Sequence, residues 1–518
     1  NEDKPYAQFV EEQIAGDVLY PGARDGYQAL GFIAAGPWDF IGHAELPETK
    51  IDGKIARHLD RDDMVANTIG TFNSVTVHCA QCHNHKFDPI SQEDYYSLQS
   101  VFSALDRTDK KYFVGDAALT NRFNQLDGRQ RYLAERKRVI ERDAKKDGAI
   151  KPDKQKELDE ILPELAKLNQ ELAALPKPEV VFAGTVHYGT GTFIGTGANG
   201  GKPRPVFVLA RGQVTTPGRE VSPGALSMLT FQPARFAIAK DAPEGERRAA
   251  LARWITDSNN PLTWRSIVNR VWQYHFGAGL VTTPNDFGLN GARPSHPELL
   301  DWLAAEFRDN GGSLKRLHKL IVTSATYKQT SNPQSNELLW RQNRRKLEAE
   351  AVRDAVLMVS GKLDLTMGGA GWQDFVIERP EHSPHYEYGL ADPEDARTWR
   401  RSVYRFIVRS QTQPWMTALD CADPSMRVDK RNESLSPLQA LALLNNGFMV
   451  SQANHFAERL ERERPNNLSA QIERAHWLAF GRAPSANERA KFIAFAKRHG
   501  LPNLCRALLN LNEFSFVD

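Results

Sequence analysis

The sequence predicts a mainly α, multidomain protein with a small β-rich insert, and three observations carry that prediction. A chain of 518 residues, 41% of them hydrophobic, is too long for one core and can fill two or three. Apolar side chains recur at a spacing near 3.6 through most of its length. Between about 178 and 240 that rhythm gives way to short runs of Val, Thr and Phe separated by glycine.

Residues 1–116 read as a helical domain. Phe9, Val10, Ile14 and Val18 recur at helical spacing, Asp62-Asp63-Met64-Val65 opens a second helical pattern, and Tyr95, Leu98, Val101, Phe102 and Leu105 form an apolar stripe. In 117–177 a charge-dense run from Arg129 to Lys146 is followed by a break at Gly148 to Pro152. Leu158, Ile161, Leu165, Leu168 and Leu172 then repeat at 3 and 4, the pattern of an antiparallel helical hairpin or short coiled coil. In 178–240, Val180-Val181-Phe182 and Val206-Phe207-Val208-Leu209 predict strands around a glycine-rich loop. Gly195, Gly197 and Gly200 match a dinucleotide-binding spacing, but the loop runs into Lys202-Pro203-Arg204-Pro205. Without a helix N-terminus to receive a pyrophosphate, that reading is rejected. Residues 241–518 read as a helical C-terminal domain. Trp254, Ile267, Val268, Val271 and Trp272 share one face, Asn260-Pro261 and Gly277 punctuate it, and Leu299, Leu300, Leu303 and Phe307 continue it.

Charge and hydropathy exclude some function classes. The 66 basic and 64 acidic side chains give a formal charge of +2, too little to draw nucleic acid. No apolar run approaches the roughly 20 residues of a membrane helix, so no membrane span is expected. The chain opens Asn1-Glu2-Asp3-Lys4-Pro5 without a leader pattern, which reads as a processed or truncated start.

The most specific signal is Cys79-Ala80-Gln81-Cys82-His83, two of only four cysteines at the spacing that attaches a c-type haem. Two thiols so placed can add to the two vinyl groups of one porphyrin, and His83 is then the proximal iron ligand. The fold class therefore includes a haem-c site in the N-terminal helical domain. Zinc held by Cys79, Cys82, His83 and His85 is a second reading, and a redox-active dithiol a third. Covalent haem attachment occurs outside the bacterial inner membrane, so the haem reading implies a periplasmic or cell-surface protein, in which Cys421 and Cys505 are able to pair. His78 and His85 flank the motif too closely to reach the far side of the ring. His43, His58 and Met64, in that order of reach, are the candidates for a sixth ligand. A second cluster, His382-Ser383-Pro384-His385-Tyr386-Glu387-Tyr388, offers His382, His385 and Tyr388 for acid–base or ligand roles. The nearby Arg400, Arg401 and Arg405 either meet a sulfated or carboxylated sugar or pair with Glu394 and Asp395. His275 and His296, at helix ends, read as capping residues.

The runs Arg61-Asp62-Asp63-Met64-Val65, Val77 to Ile90 (VHCAQCHNHKFDPI) and Asp94-Tyr95-Tyr96 resemble a known family, as do Val268 to Trp272, His275-Phe276-Gly277, Pro294 to Leu303 and Leu438 to Leu441. The chain is similar to large exported planctomycete proteins in which paired domains of unknown function accompany a cytochrome c module. Members are encoded near sulfatases and other polysaccharide-degrading machinery, so the resemblance implies a part in carbohydrate breakdown. The expectation is an exported c-type haem protein carrying out redox chemistry linked to polysaccharide breakdown. Its expected partners are a redox partner protein, a polysaccharide and a second copy of the chain. The alternatives are a non-catalytic electron carrier or assembly protein, and a zinc-stabilised carbohydrate-binding or hydrolytic protein. Binding of carbon monoxide, cyanide or peroxide separates enzyme from carrier.

Overall fold

The structure is a computed structural model that describes all residues except 1, 37–45, 190–192, 331–335, 337, 338, 340, 342, 380–383, 425–427 and 518. The chain is mainly helical with small two-stranded sheets. It groups into two compact units, 1–324 and 325–518, the first of which takes in three of the four segments drawn from the sequence and part of the fourth. Among the described residues no helix is long and apolar enough to cross a membrane.

In the first unit, α1 (Tyr6–Leu19) buries Val10 and Ile14, but Phe9 and Val18 are largely exposed. The helix is broken at Ala15 (φ −147°), which turns Val18 off the Val10–Ile14 line. Helix α2 (Ile51–Asn73) ends at Ser74, a non-glycine residue in the left-handed region (φ 51°). Such a conformation costs on the order of 1–2 kcal/mol. The Ser74 hydroxyl offsets that strain by bonding Ser266 at 2.6 Å and the Pro284 carbonyl at 2.5 Å, while Phe287 N–H donates to the Ser74 carbonyl at 2.7 Å. Helix α3 (Gln92–Val101) starts with a capping box between Ser91 and Asp94, and its Tyr95, Leu98 and Val101 stripe is buried as its spacing predicts.

Strand β1 (Asp106–Tyr112) carries no apolar alternation and is invisible to pattern reading. It pairs antiparallel with β2 (Glu179–Thr185), Asp106 opposite Thr185 and Tyr112 opposite Glu179. Between them α4 (Ala117–Asp147) and α5 (Pro152–Ala173) form the predicted hairpin around Leu133, Ile140, Ile161 and Leu168. Its outer ion pairs run in opposite order along the two helices, Arg129 with Glu164 and Arg136 with Glu157. A second ribbon, β3 (Phe207–Leu209) with β4 (Pro217–Glu220), follows. Helices α6 (Glu244–Thr256), α7 (Pro261–Phe276), α8 (Pro297–Asp309) and α9 (Leu314–Thr323) complete the unit, α6 against α1 and α8 against α7.

The second unit packs α10 (Ala349–Ser360), α11 (Gly447–Glu463) and α12 (Leu501–Leu509) about Val356, Met449, Phe456, Leu460 and Leu508. Cys505 is sealed in this core. Cys421, half-buried at its edge, donates its thiol toward Glu350 Oε1 at 3.5 Å. Both are free, so the pairing the sequence allows is not made.

Candidate functional site

The motif sits on one turn of 3-10 helix, His78–Gln81, between α2 and α3. Ala80, fully buried, anchors the turn, while Cys79, Cys82 and His83 are exposed and both thiols are free. Beneath it lies a polar layer drawn from α2 and α3. Tyr96 donates to the Gln81 carbonyl at 2.7 Å, and the Gln81 amide bonds His58 Nε2 at 2.5 Å. Asp62 accepts from Tyr95 at 2.5 Å and bonds His78 Nδ1 at 3.0 Å. Burial acts to raise the Asp62 carboxyl, but the hydrogen bond and charge of His78 and the Tyr95 hydroxyl bring it below its ordinary range. Tyr95 is driven the other way, by burial and then by the Asp62 charge.

His83 Nδ1 lies 2.7 Å from the Asn84 carbonyl oxygen. A carbonyl can only accept, so Nδ1 carries a proton, and in the neutral ring Nε2 is then the nitrogen that holds the lone pair. His85 is the opposite case: its Nδ1 accepts the Asp88 N–H at 2.9 Å, and the ring is buried. It closes a tight loop with His85 N–H on the Ile90 carbonyl at 2.8 Å. Asp88 accepts Leu289 N–H at 2.7 Å, and a Cβ at Gly288 would come within 2.3 Å of Asp88 Oδ2. A side chain there would have to displace the Asp88 carboxylate, whose bond to Leu289 ties the loop after the motif to the 286–289 turn. Gly212 approaches the motif similarly, since a Cβ there would lie 3.0 Å from Cys82 Sγ.

Of the three residues proposed opposite His83, His43 lies outside the described residues, Met64 is sealed in the core, and His58 is buried on α2. Among the described residues no three His, Cys, Asp or Glu side chains converge as a metal site would require. Burial, reinforced by the nearby Arg61 charge, lowers the His58 imidazole to about 4. The unfolded chain therefore takes up this proton as pH falls through 6.5, whereas the folded unit takes it up only near 4. Stability from this group is complete above neutrality and falls by about 3 kcal/mol across that window. Urea melts from pH 7 to pH 4 should show that slope, and His58→Gln should flatten it; an unchanged slope in the variant rules the assignment out.

In the second cluster, His382 lies outside the described residues. His385 is exposed on the strand 385–387, and Tyr388 spends its hydroxyl on the Gln411 carbonyl at 2.8 Å with its ring against Phe375. Arg400 donates to the carbonyls of Ala370, Thr366 and Gly368, Arg401 faces Asp354 at 3.9 Å, and Arg405 faces Asp374 at 3.8 Å. The expected pairing partners are taken elsewhere, Asp395 by Arg397 and Glu394 by Ser451 and His455. His275 meets His318 at 2.8 Å rather than capping alone.

Pattern reading missed a cleft of about 360 Å³ beside the motif, into which Lys54, Arg57, His58 and Arg61 of α2 project. The signal was their spacing of 3 and 4, which puts them on one helix face. A basic helical face is ordinarily solvated, and only the 204–217 segment folding over it makes a cleft.

Two family models match the chain. Residues 1–107 match PSCyt2, a protein of unknown function (DUF1549), and residues 247–496 match PSD1, a protein of unknown function (DUF1553). The chain thus carries both of these paired domains, and the second begins inside the first compact unit. No curated protein and no solved structure matches it.

Proposed function

We propose that this chain is an exported c-type haem protein carrying out redox chemistry linked to polysaccharide breakdown. The observation that carries the reading is His83: a surface imidazole next to two exposed, free thiols, with Nδ1 held by a backbone carbonyl and Nε2 left as a ligand nitrogen. The donor set fits the group, since neither thiol has to be unburied and neither is consumed in a disulfide. Cys79 and Cys82 would hold the porphyrin, and His83 would bind iron. The bound haem would supply a one-electron couple, and an open position on its iron where the sixth site is unfilled.

The chain's own part is to hold this turn still. Tyr96, Gln92 and His58 fix Gln81, and the His85–Ile90 loop fixes the segment immediately after His83. The motif faces outward, a position suited to exchanging electrons with a partner. The carbohydrate link rests on the resemblance of the motif-bearing runs. Expression of the full chain in a host that matures c-type cytochromes should give a Soret band that survives acid-acetone extraction and a mass increase of one haem. A colourless protein from that host overturns the reading.

A further inference from the structure

We propose that the cleft beside the motif is a binding site for a small ring compound bearing an oxyanion, held chiefly by Arg61 and Arg57. Arg57 is 3% exposed, yet none of its three guanidinium nitrogens makes a hydrogen bond. The carboxylates of Asp60 and Asp106 stand 3.5 Å off, and the Phe193 ring covers one face at 4.4 Å. Arg61 has its Nε buried without a partner, and among the described residues no acceptor hydrogen-bonds its guanidinium. Arg204 across the cleft is the contrast, since it is satisfied by Glu48, Asp106 and the Ser103 carbonyl.

Each guanidinium carries five donors, and a buried charged donor left unmade is costly. A fold that places two such side chains at one wall supplies what an incoming carboxylate, sulfate or phosphate needs. Of the four cations on the lining, Arg57 stands 3.5 Å from Asp60 and Asp106 and Arg204 pairs with Glu48 and Asp106, which leaves the positive excess of the wall on Lys54 and Arg61. His58, neutral at working pH, adds a donor or acceptor without charge. Tyr96, Val206, Phe207 and Leu209 also line the cleft, an apolar surface that suits a ring rather than a bare ion. The site does not depend on the haem reading, although the carboxylates of an attached porphyrin are one source of the same chemistry.

The test is calorimetric titration of the full chain with sodium sulfate and with sodium benzoate at constant ionic strength, chloride balancing. It is run on the protein as purified and on the haem-free Cys79→Ser/Cys82→Ser variant. Benzoate should bind more tightly than sulfate, and Arg61→Gln should weaken both by about tenfold or more. Lys54→Gln, at an exposed position whose loss leaves folding intact, should weaken them by a smaller factor. Binding to both proteins assigns the cleft to a free ligand, and binding only to the haem-free one assigns it to the porphyrin's carboxylates. Either result supports the oxyanion site. No binding of either probe at millimolar concentration, or binding that neither substitution alters, overturns it. A protein that never acquires haem but binds benzoate defeats the haem reading and leaves this one standing.

Discussion

Arg248→Ala should lower the unfolding free energy of the first unit by about 3–5 kcal/mol, the cost of stranding buried charges. The Arg248 side chain is 1% exposed and spends its nitrogens on Asp17 at 2.8 Å, Glu244 at 2.7 Å and the Ile14 carbonyl at 3.1 Å. Without it Asp17, on α1, keeps among the described residues the Lys110 ammonium at 2.8 Å. Burial acts to raise the Asp17 carboxyl, and the charges of Arg248 and Lys110 overcome it and hold it well below the carboxylate range. The sign follows: this contribution is present above the unfolded carboxyl's ordinary value and is lost as pH falls through the depressed folded one. The variant's deficit should therefore be full at pH 7 and shrink toward pH 2. Arg129→Ala, which breaks a half-exposed hairpin pair with Glu164, should cost less than 1 kcal/mol. Urea melts of the three proteins decide it, and an Arg248→Ala midpoint matching Arg129→Ala removes the argument.

That cluster bears on what the two matched segments are. Asp17 lies in the first and Arg248 at the start of the second, and a guanidinium buried between α1 and α6 ties the first segment to the opening of the second within the 1–324 unit. Asn73 with Thr263, and Ser74 with Ser266, add buried hydrogen bonds between the same segments. The first segment's α1 and α2 thus rely on side chains from beyond residue 247 to satisfy their polar groups.

The legible parts were those whose information is local. The hairpin follows from apolar spacing and the Gly148 break, and the motif from five consecutive residues. β1 was not legible because Asp106-Arg107-Thr108-Asp109-Lys110-Lys111-Tyr112 has the composition of a solvated loop; only pairing with β2 makes it a strand. The His83 tautomer depends on where the Asn84 carbonyl points, and no side-chain pattern encodes that. The polar layer under the motif joins Asp62, Tyr95, Tyr96 and His58 from two helices separated by the whole motif-bearing segment, and no one of them signals the layer alone. The cleft was half legible: a basic helix face can be read, but the segment that closes over it cannot.

Counting reactive thiols should separate every reading of the motif in one measurement. Cys79 and Cys82 are exposed, so in haem-free, reduced protein both react with an aromatic disulfide reagent at the rate of free thiols. Cys421 is half-buried against Glu350, and burial followed by that negative charge raises its thiol, so it reacts more slowly. Cys505 has no exposed surface and waits for opening of the core, a delay on the order of 10³-fold or more. If the two fast thiols are missing from purified protein, the means of recovery names the chemistry. A reductant restores them from a disulfide, and a chelator restores them from zinc. Neither restores them from thioethers to haem, because a carbon–sulfur bond is not opened by either. Two fast thiols absent and irrecoverable, with the Cys79→Ser/Cys82→Ser variant colourless, is the expected result. Both fast thiols present in protein from a haem-maturing host would instead return the motif to its dithiol reading, with the His83 geometry left unexplained.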